Sequence, residues 1–169
     1  MKRIDYDVIR ETLQTGDVIL FKGRHLRDKL LMLFTPYSHV SCVIRMPFQE
    51  MTNRVCVIET QFPGAQFRAL SGEMAVHGKT YLIRSRLSMR QQDNIRVYLF
   101  DAVAKGLPYD VPGLFKSAFR IIPFNKERMY CSALIADALN HVGRLQIVTV
   151  PFPGEFPAIM EEEMVEIVL

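Results

Sequence analysis

Two short runs, His39 to Arg45 (HVSCVIR) and Arg54 to Thr60 (RVCVIET), constrain this chain more than any other feature. Both are rich in Val, Ile and Cys, and β-branched side chains pack well on a pleated surface, so each is expected to be a strand. A Pro- and Gln-containing connection joins them, and together they read as a hairpin. Centring that connection on Gln49 sets Val43 against Val55, Ser41 against Val57 and His39 against Glu59. Opposed residues have Cβ atoms about 4.5 to 5.5 Å apart, close enough for a carboxylate to meet an imidazole. A slip of one residue would put the two on different faces.

The remaining elements are expected around that hairpin. Tyr6 to Leu13 reads as a short helix ending before the turn Thr15-Gly16-Asp17, and Val18 to Phe21 as a buried strand. Arg27 to Phe34 has apolar residues at helical spacing and stops at Pro36; Thr80 to Arg84 reads as a strand. Met89 to Ala104 reads as a helix capped by Gly106, followed by a loop-rich stretch, Leu107 to Arg128, with at most a helical turn around Phe115 to Phe119. Cys131 to Val142 is expected to be a compact helix stopped by Gly143, which places Cys131 at its N-terminus. After a Pro-rich stretch, Met164 to Leu169 is expected to be a short terminal strand that finishes the sheet.

At 169 residues and 49% hydrophobic content the chain is expected to form one domain over 1–169 with a continuous core. Charged residues, 23% of the chain, are dispersed and the net charge is only +3, which argues against disorder and against a nucleic-acid partner. Arg84, Arg86 and Arg90 crowd one stretch and read as a solvated strand end and helix start, with an acidic-substrate rim as the functional alternative. Met1 to Arg10 has no apolar h-region and no run approaches the roughly 20 residues of a membrane helix, so a cytoplasmic product is expected; release by lysis, or a viral origin, is compatible with that. Cys42, Cys56 and Cys131 form no CxxC pair, and His25, His39, His77 and His141 are dispersed, so neither disulfides, a metal nor any other cofactor is expected.

Cys131 is the candidate nucleophile because a helix N-terminus favours a thiolate through its macrodipole and free N–H groups. His39 is the candidate base, and Glu59 the group that orients it. Read singly, each has a plainer explanation: a core thiol, a hydrogen-bonded strand histidine, a glutamate at a strand end. The pairing of His39 with Glu59 distinguishes them. Cys42 and Cys56, embedded in apolar strands, read as small core residues.

The segments TGDVILF (with Gly16-Asp17-Val18-Ile19), YSHV (Ser38-His39-Val40), VIET (Glu59) and YCSALIADAL (Tyr130-Cys131-Ser132) together resemble the circularly permuted NlpC-like papain-fold enzymes, the YiiX/YaeF-like group. The likeness runs from about Thr15 to Phe156. It implies an α+β, papain-like fold: a central antiparallel sheet packed against helices, with the nucleophile at a helix N-terminus. It also implies the order His39, Glu59, Cys131, the reverse of ordinary NlpC-type peptidases. Gly106-Leu107-Pro108-Tyr109 looks like the G-x-P-Y element, so Tyr109 is expected to help hold an oxyanion, with Tyr37 and Ser132 as further oxyanion or substrate-binding candidates. Ala133 stands where NlpC enzymes have glycine.

The resemblance implies hydrolysis of an amide, peptide or ester bond in a small substrate through an acyl-enzyme. Two alternatives accompany it. One is a thioesterase or acyltransferase acting on lipid or acylated substrates, favoured by the apolar flanks Leu30 to Phe34 and Phe115 to Phe124. The other is a binding or structural module on the same fold with an idle triad.

Overall fold

The computed structural model describes residues 2–23, 35–46, 54–113, 125 and 127–169. The helix expected over Arg27 to Phe34, the helical turn expected over Phe115 to Phe119 and both apolar flanks lie outside those residues.

The described residues place seven strands in one sheet: β1 (Lys2–Asp5), β2 (Val18–Lys22), β3 (His39–Ile44), β4 (Cys56–Gln61), β5 (Gly64–Ala69), β6 (Lys79–Ile83) and β7 (Met164–Val168). Their order across the sheet is β1-β7-β6-β2-β3-β4-β5. All neighbours are antiparallel except β1 and β7, which run parallel. The last strand therefore does not finish the sheet as expected. It lies between β6 and β1, held to β1 also by an Arg3 to Glu166 ion pair of 2.8 Å.

Alternation along the strands divides the core in two. Val18, Leu20, Val40, Cys42, Ile44 and Ile58 face one side, where α3 (Met89–Ala104) and α4 (Cys131–His141) cover them. Ile19, Phe21, Val43, Val55 and Val57 face the other, covered by α1 (Tyr6–Ile9), Leu13 and α2 (Leu70–His77). Because both faces of β2 and β3 are covered, these strands read as continuous apolar runs instead of alternating ones. Cys42 and Cys56 are buried strand residues, as their setting implied.

The turn before β2 depends on two residues. Gly16 has φ +97, and a Cβ there would meet Leu87 Cδ1 at 2.4 Å, so only glycine fits. The buried Asp17 carboxylate accepts from Gln14 N (3.0 Å), Ser85 N (3.1 Å) and Arg84 Nη1 (2.7 Å), tying the turn to the end of β6. Arg86 in turn pairs with Glu162 at 2.8 Å. Two of the three clustered arginines thus have structural partners.

α3 ends where the sequence predicts and α4 one residue earlier, at His141, whereas the helix expected over Tyr6 to Leu13 is α-helical only to Ile9 and continues as a 3-10 turn over Arg10–Thr12. Ser88 and Gln91 form a capping box at the start of α3, and Gly106 follows its end at φ +62. α4 gives way to Gly143 at φ +71.

Candidate active site

The β3–β4 ladder pairs Cys42 with Ile58, Val43 with Val57 and Ile44 with Cys56. This differs by two residues from the expected register, in which Val43 faced Val55. Extending the observed ladder puts Ser41 opposite Glu59 and His39 opposite Gln61. A shift of two preserves the face on which each side chain emerges, so His39 and Glu59 remain neighbours, now on a diagonal. The glutamate is long enough to cross it: Glu59 Oε2 lies 2.8 Å from His39 Nε2, with the imidazole 8% and the glutamate side chain 1% exposed.

The ladder stops at Cys42 and Ile58. Beyond it, β3 continues against β2, with Phe21 opposite His39, while β4 continues against β5. Cys131, at the N-terminus of α4, comes within hydrogen-bonding range of His39 at this end of β3. With Nε2 committed to Glu59, Nδ1 is the ring nitrogen left for the thiol. The three residues proposed from sequence as a triad thus converge.

Burial by itself acts to lower the pKa of His39. The Glu59 carboxylate, the Cys131 thiolate and the hydrogen bonds of both to the ring outweigh it and hold the imidazole well above its ordinary value. That electrostatic balance favours a proton on His39. α4 contributes at the same point, because its N-cap, Tyr130, makes no side-chain capping hydrogen bond. The first-turn N–H groups remain directed at the end of the helix where Cys131 sits.

The secondary candidates separate. The backbone of Tyr109 links the site to its surroundings: Tyr109 N donates to Pro63 O at 3.0 Å in the β4–β5 turn, and Tyr109 bridges to Met129, two residues before Cys131. The Gly106-Leu107-Pro108-Tyr109 segment therefore splices the hairpin end to the approach of α4. Ser132 is fully buried, and its Oγ has no hydrogen-bond partner among the described residues. Tyr37 packs edge-on to Tyr81 at 5.1 Å and donates its hydroxyl to Met164 Sδ at 3.4 Å. This is a core role beside β6 and β7.

Sequence reasoning missed the polar residues behind the triad. His77 ends α2 and stacks on His39, with Gln61 and Glu73 at its Nε2. Glu73 and His77 are spaced i,i+4 on one helix, a signal present in the sequence; their approach to His39 depends on how α2 packs on the sheet.

Fold and site together define an α+β protein in which a buried cysteine, histidine and glutamate meet at one end of a sheet strand. Among solved structures it is similar to the crystal structure of the metalloprotein YiiX from Escherichia coli O157:H7, with TM-score 0.61 and 23% identity over 90% of this chain and 87% of that one. At that identity the likeness shows the shared fold. No protein-family model matches the chain, and no curated protein matches it. YiiX is called a metalloprotein; in this chain, among the described residues, no group of three or more His, Cys, Asp or Glu is placed to hold a metal ion. No helix among the described residues is long and apolar enough to cross a membrane.

Proposed function

We propose that this protein is a cysteine hydrolase of the permuted NlpC-like, papain-fold class, acting on an amide, peptide or ester bond. The observation that carries the reading is the buried 2.8 Å contact between His39 Nε2 and Glu59 Oε2, with Cys131 in hydrogen-bonding range of the same imidazole.

In the reaction, Cys131 Sγ as thiolate attacks the carbonyl carbon and the carbonyl π electrons move to oxygen. The oxyanion is met by N–H groups of the first turn of α4 and, on the strength of the family likeness, by Tyr109. Collapse breaks the bond to the leaving group, which takes a proton from the His39 imidazolium. The acyl group is left as a thioester on Cys131. His39, now neutral, takes a proton from water, whose oxygen attacks the thioester; the acid is released and the ion pair is restored. Glu59 holds the ring and its charge throughout.

A second reading, thioesterase or acyltransferase chemistry, is favoured by Phe62, which is 80% exposed in the β4–β5 turn next to the Pro63 that Tyr109 binds. An apolar side chain there suits an apolar acyl portion. The test is a panel of peptides, amides and acyl esters or thioesters, with intact mass measured for acyl adducts on Cys131 in wild type and Cys131→Ala. Turnover and an adduct lost in the variant support the hydrolase, and the preferred substrate separates the two readings. No turnover and no adduct with any class moves the assignment to a binding module.

A further inference from the structure

A second histidine lies behind His39, and the triad does not use it. His77 is 2% exposed; its ring lies on that of His39 with centroids 5.2 Å apart and planes within 15° of parallel. Phe21 packs against it at 5.0 Å. His77 Nε2 is 3.2 Å from Glu73 Oε2 and 3.0 Å from Nε2 of the Gln61 amide. One nitrogen cannot donate to a carboxylate and accept from an amide at once. Turning the Gln61 amide by half a turn exchanges its oxygen and nitrogen in place, and a single Nε2–H then serves both oxygens. The proton is thereby assigned to Nε2, and Nδ1, buried with no partner among the described residues, carries the lone pair.

The consequence concerns ring tilt. Glu59 and Cys131 hold His39 at its edges, and edge contacts leave the ring free to rock about the line joining them. A flat neighbour on its face removes that freedom, provided the neighbour cannot itself turn. Glu73 and Gln61 prevent His77 from turning. The charged groups around it are Glu73 on its own helix, Arg68 of β5 acting on Glu73, and Glu59 and Cys131 beyond His39.

We propose that His77 is a positioning residue for His39, an inference that rests on the hydrolase reading: stacked on the imidazole and anchored through Nε2 by Glu73 and Gln61, it fixes the plane in which His39 meets Glu59 and Cys131.

The test compares wild type, Glu73→Leu, Glu73→Gln and His77→Phe in the full chain. Two quantities are measured from pH 5 to 9: the rate of Cys131 alkylation by iodoacetamide and the titration of the His39 imidazole by NMR. Glu73 is partly exposed, with its side chain at 12%, so its variants disturb the buried rings less than His77→Phe does. Glu73→Leu keeps both rings but frees His77 to turn, and is expected to slow alkylation at pH 7 by up to about 10²-fold, the scale of effect that a misplacement of about 1 Å has on reacting groups. It is also expected to move the His39 titration midpoint. Glu73→Gln, which still accepts from Nε2–H but lacks the charge that acts on His39, is expected to restore the alkylation rate, and His77→Phe to slow it like Glu73→Leu. Coincident curves for wild type and Glu73→Leu overturn the proposal, as does a Glu73→Gln alkylated as slowly as Glu73→Leu. A wild-type Cys131 that reacts no faster than a model thiol overturns the hydrolase reading instead; the His39 titration in Glu73→Leu against Glu73→Gln, which both lack the charge, then decides the positioning role by itself.

Discussion

His39 and Glu59 lie just beyond the last paired residues of β3 and β4, at positions the ladder's register would set on a diagonal, and Glu59 Oε2 still reaches His39 Nε2 at 2.8 Å. Diagonal partners lie about 7 to 8 Å apart at the backbone, against 4.5 to 5.5 Å for opposed ones. Side-chain length at position 59 is therefore as much a requirement as its charge.

Glu59→Asp, shorter by one methylene, is expected to lose the hydrogen bond while keeping the charge. Glu59→Gln keeps the length and loses the charge. Since the Glu59 carboxylate is a main cause of the raised His39 pKa, the His39 titration midpoint should fall in Glu59→Gln. Gln can also donate to Nε2 and force the wrong tautomer, so turnover should drop by about 10²-fold or more. NMR titration of the imidazole checks the first expectation, and an unmoved midpoint would remove Glu59 from the site.

Iodoacetamide at pH 7 should label Cys131 well before Cys42. Burial pushes the Cys42 thiol far up, with Asp17 adding to it, and its side chain is fully enclosed. His39→Ala should slow Cys131 labelling about 10²-fold, the lower end of what a positioned acid–base group supplies. Peptide mapping by mass spectrometry reads each cysteine separately. Equal, slow labelling of all three with no effect of the substitution argues for a core thiol.

Glu73 offers a pH-dependent stability test. The hydrogen bond from His77 holds its carboxyl below the usual range, against the opposing effect of burial. A depressed folded-state pKa contributes stability that is present above the unfolded value of about 4.3 and is lost as pH falls through the folded value. Wild type should accordingly exceed Glu73→Leu in stability by about 1 kcal/mol at pH 7, and the gap should close on acidification below pH 4. Urea unfolding at a series of pH values measures it; a gap that is constant with pH contradicts the assignment.

Asp17→Ala should destabilise the protein by about 2 to 4 kcal/mol without changing Cys131 alkylation in the folded state. The substitution strands the Gln14 and Ser85 N–H groups and leaves Arg84 without its acid. Thermal or urea unfolding reads the loss. A change in alkylation rate at matched folded fraction would mean that the turn before β2 also shapes the site.

Much of this arrangement is legible along the chain because it rests on local rules. Val18 to Phe21, His39 to Arg45 and Arg54 to Thr60 declare strands by composition, and Gly106 and Gly143 mark helix ends by their conformational freedom. β1, β5 and α2 escaped that reading. Lys2–Asp5 and Gly64–Ala69 lie at the two edges of the sheet with largely exposed side chains, so no apolar period marks them. α2 buries only Leu70, Met74 and His77, too sparse a stripe to stand out in eight residues.

What the sequence by itself determined is the two strands that carry His39 and Glu59 and the helix start that carries Cys131. Side chains alternate along a strand, so His39 and Glu59 share a face under the expected register as under the observed one, and the helix start at Cys131 follows from local pattern. What only the tertiary structure decided is the pairing between those strands, the point at which the β3–β4 ladder ends, the bridge from Tyr109 to the β4–β5 turn, and the stacking of His77 on His39. Alternation repeats every two residues and cannot distinguish registers two apart. That choice belongs to the packing of both sheet faces at once, which no single segment encodes.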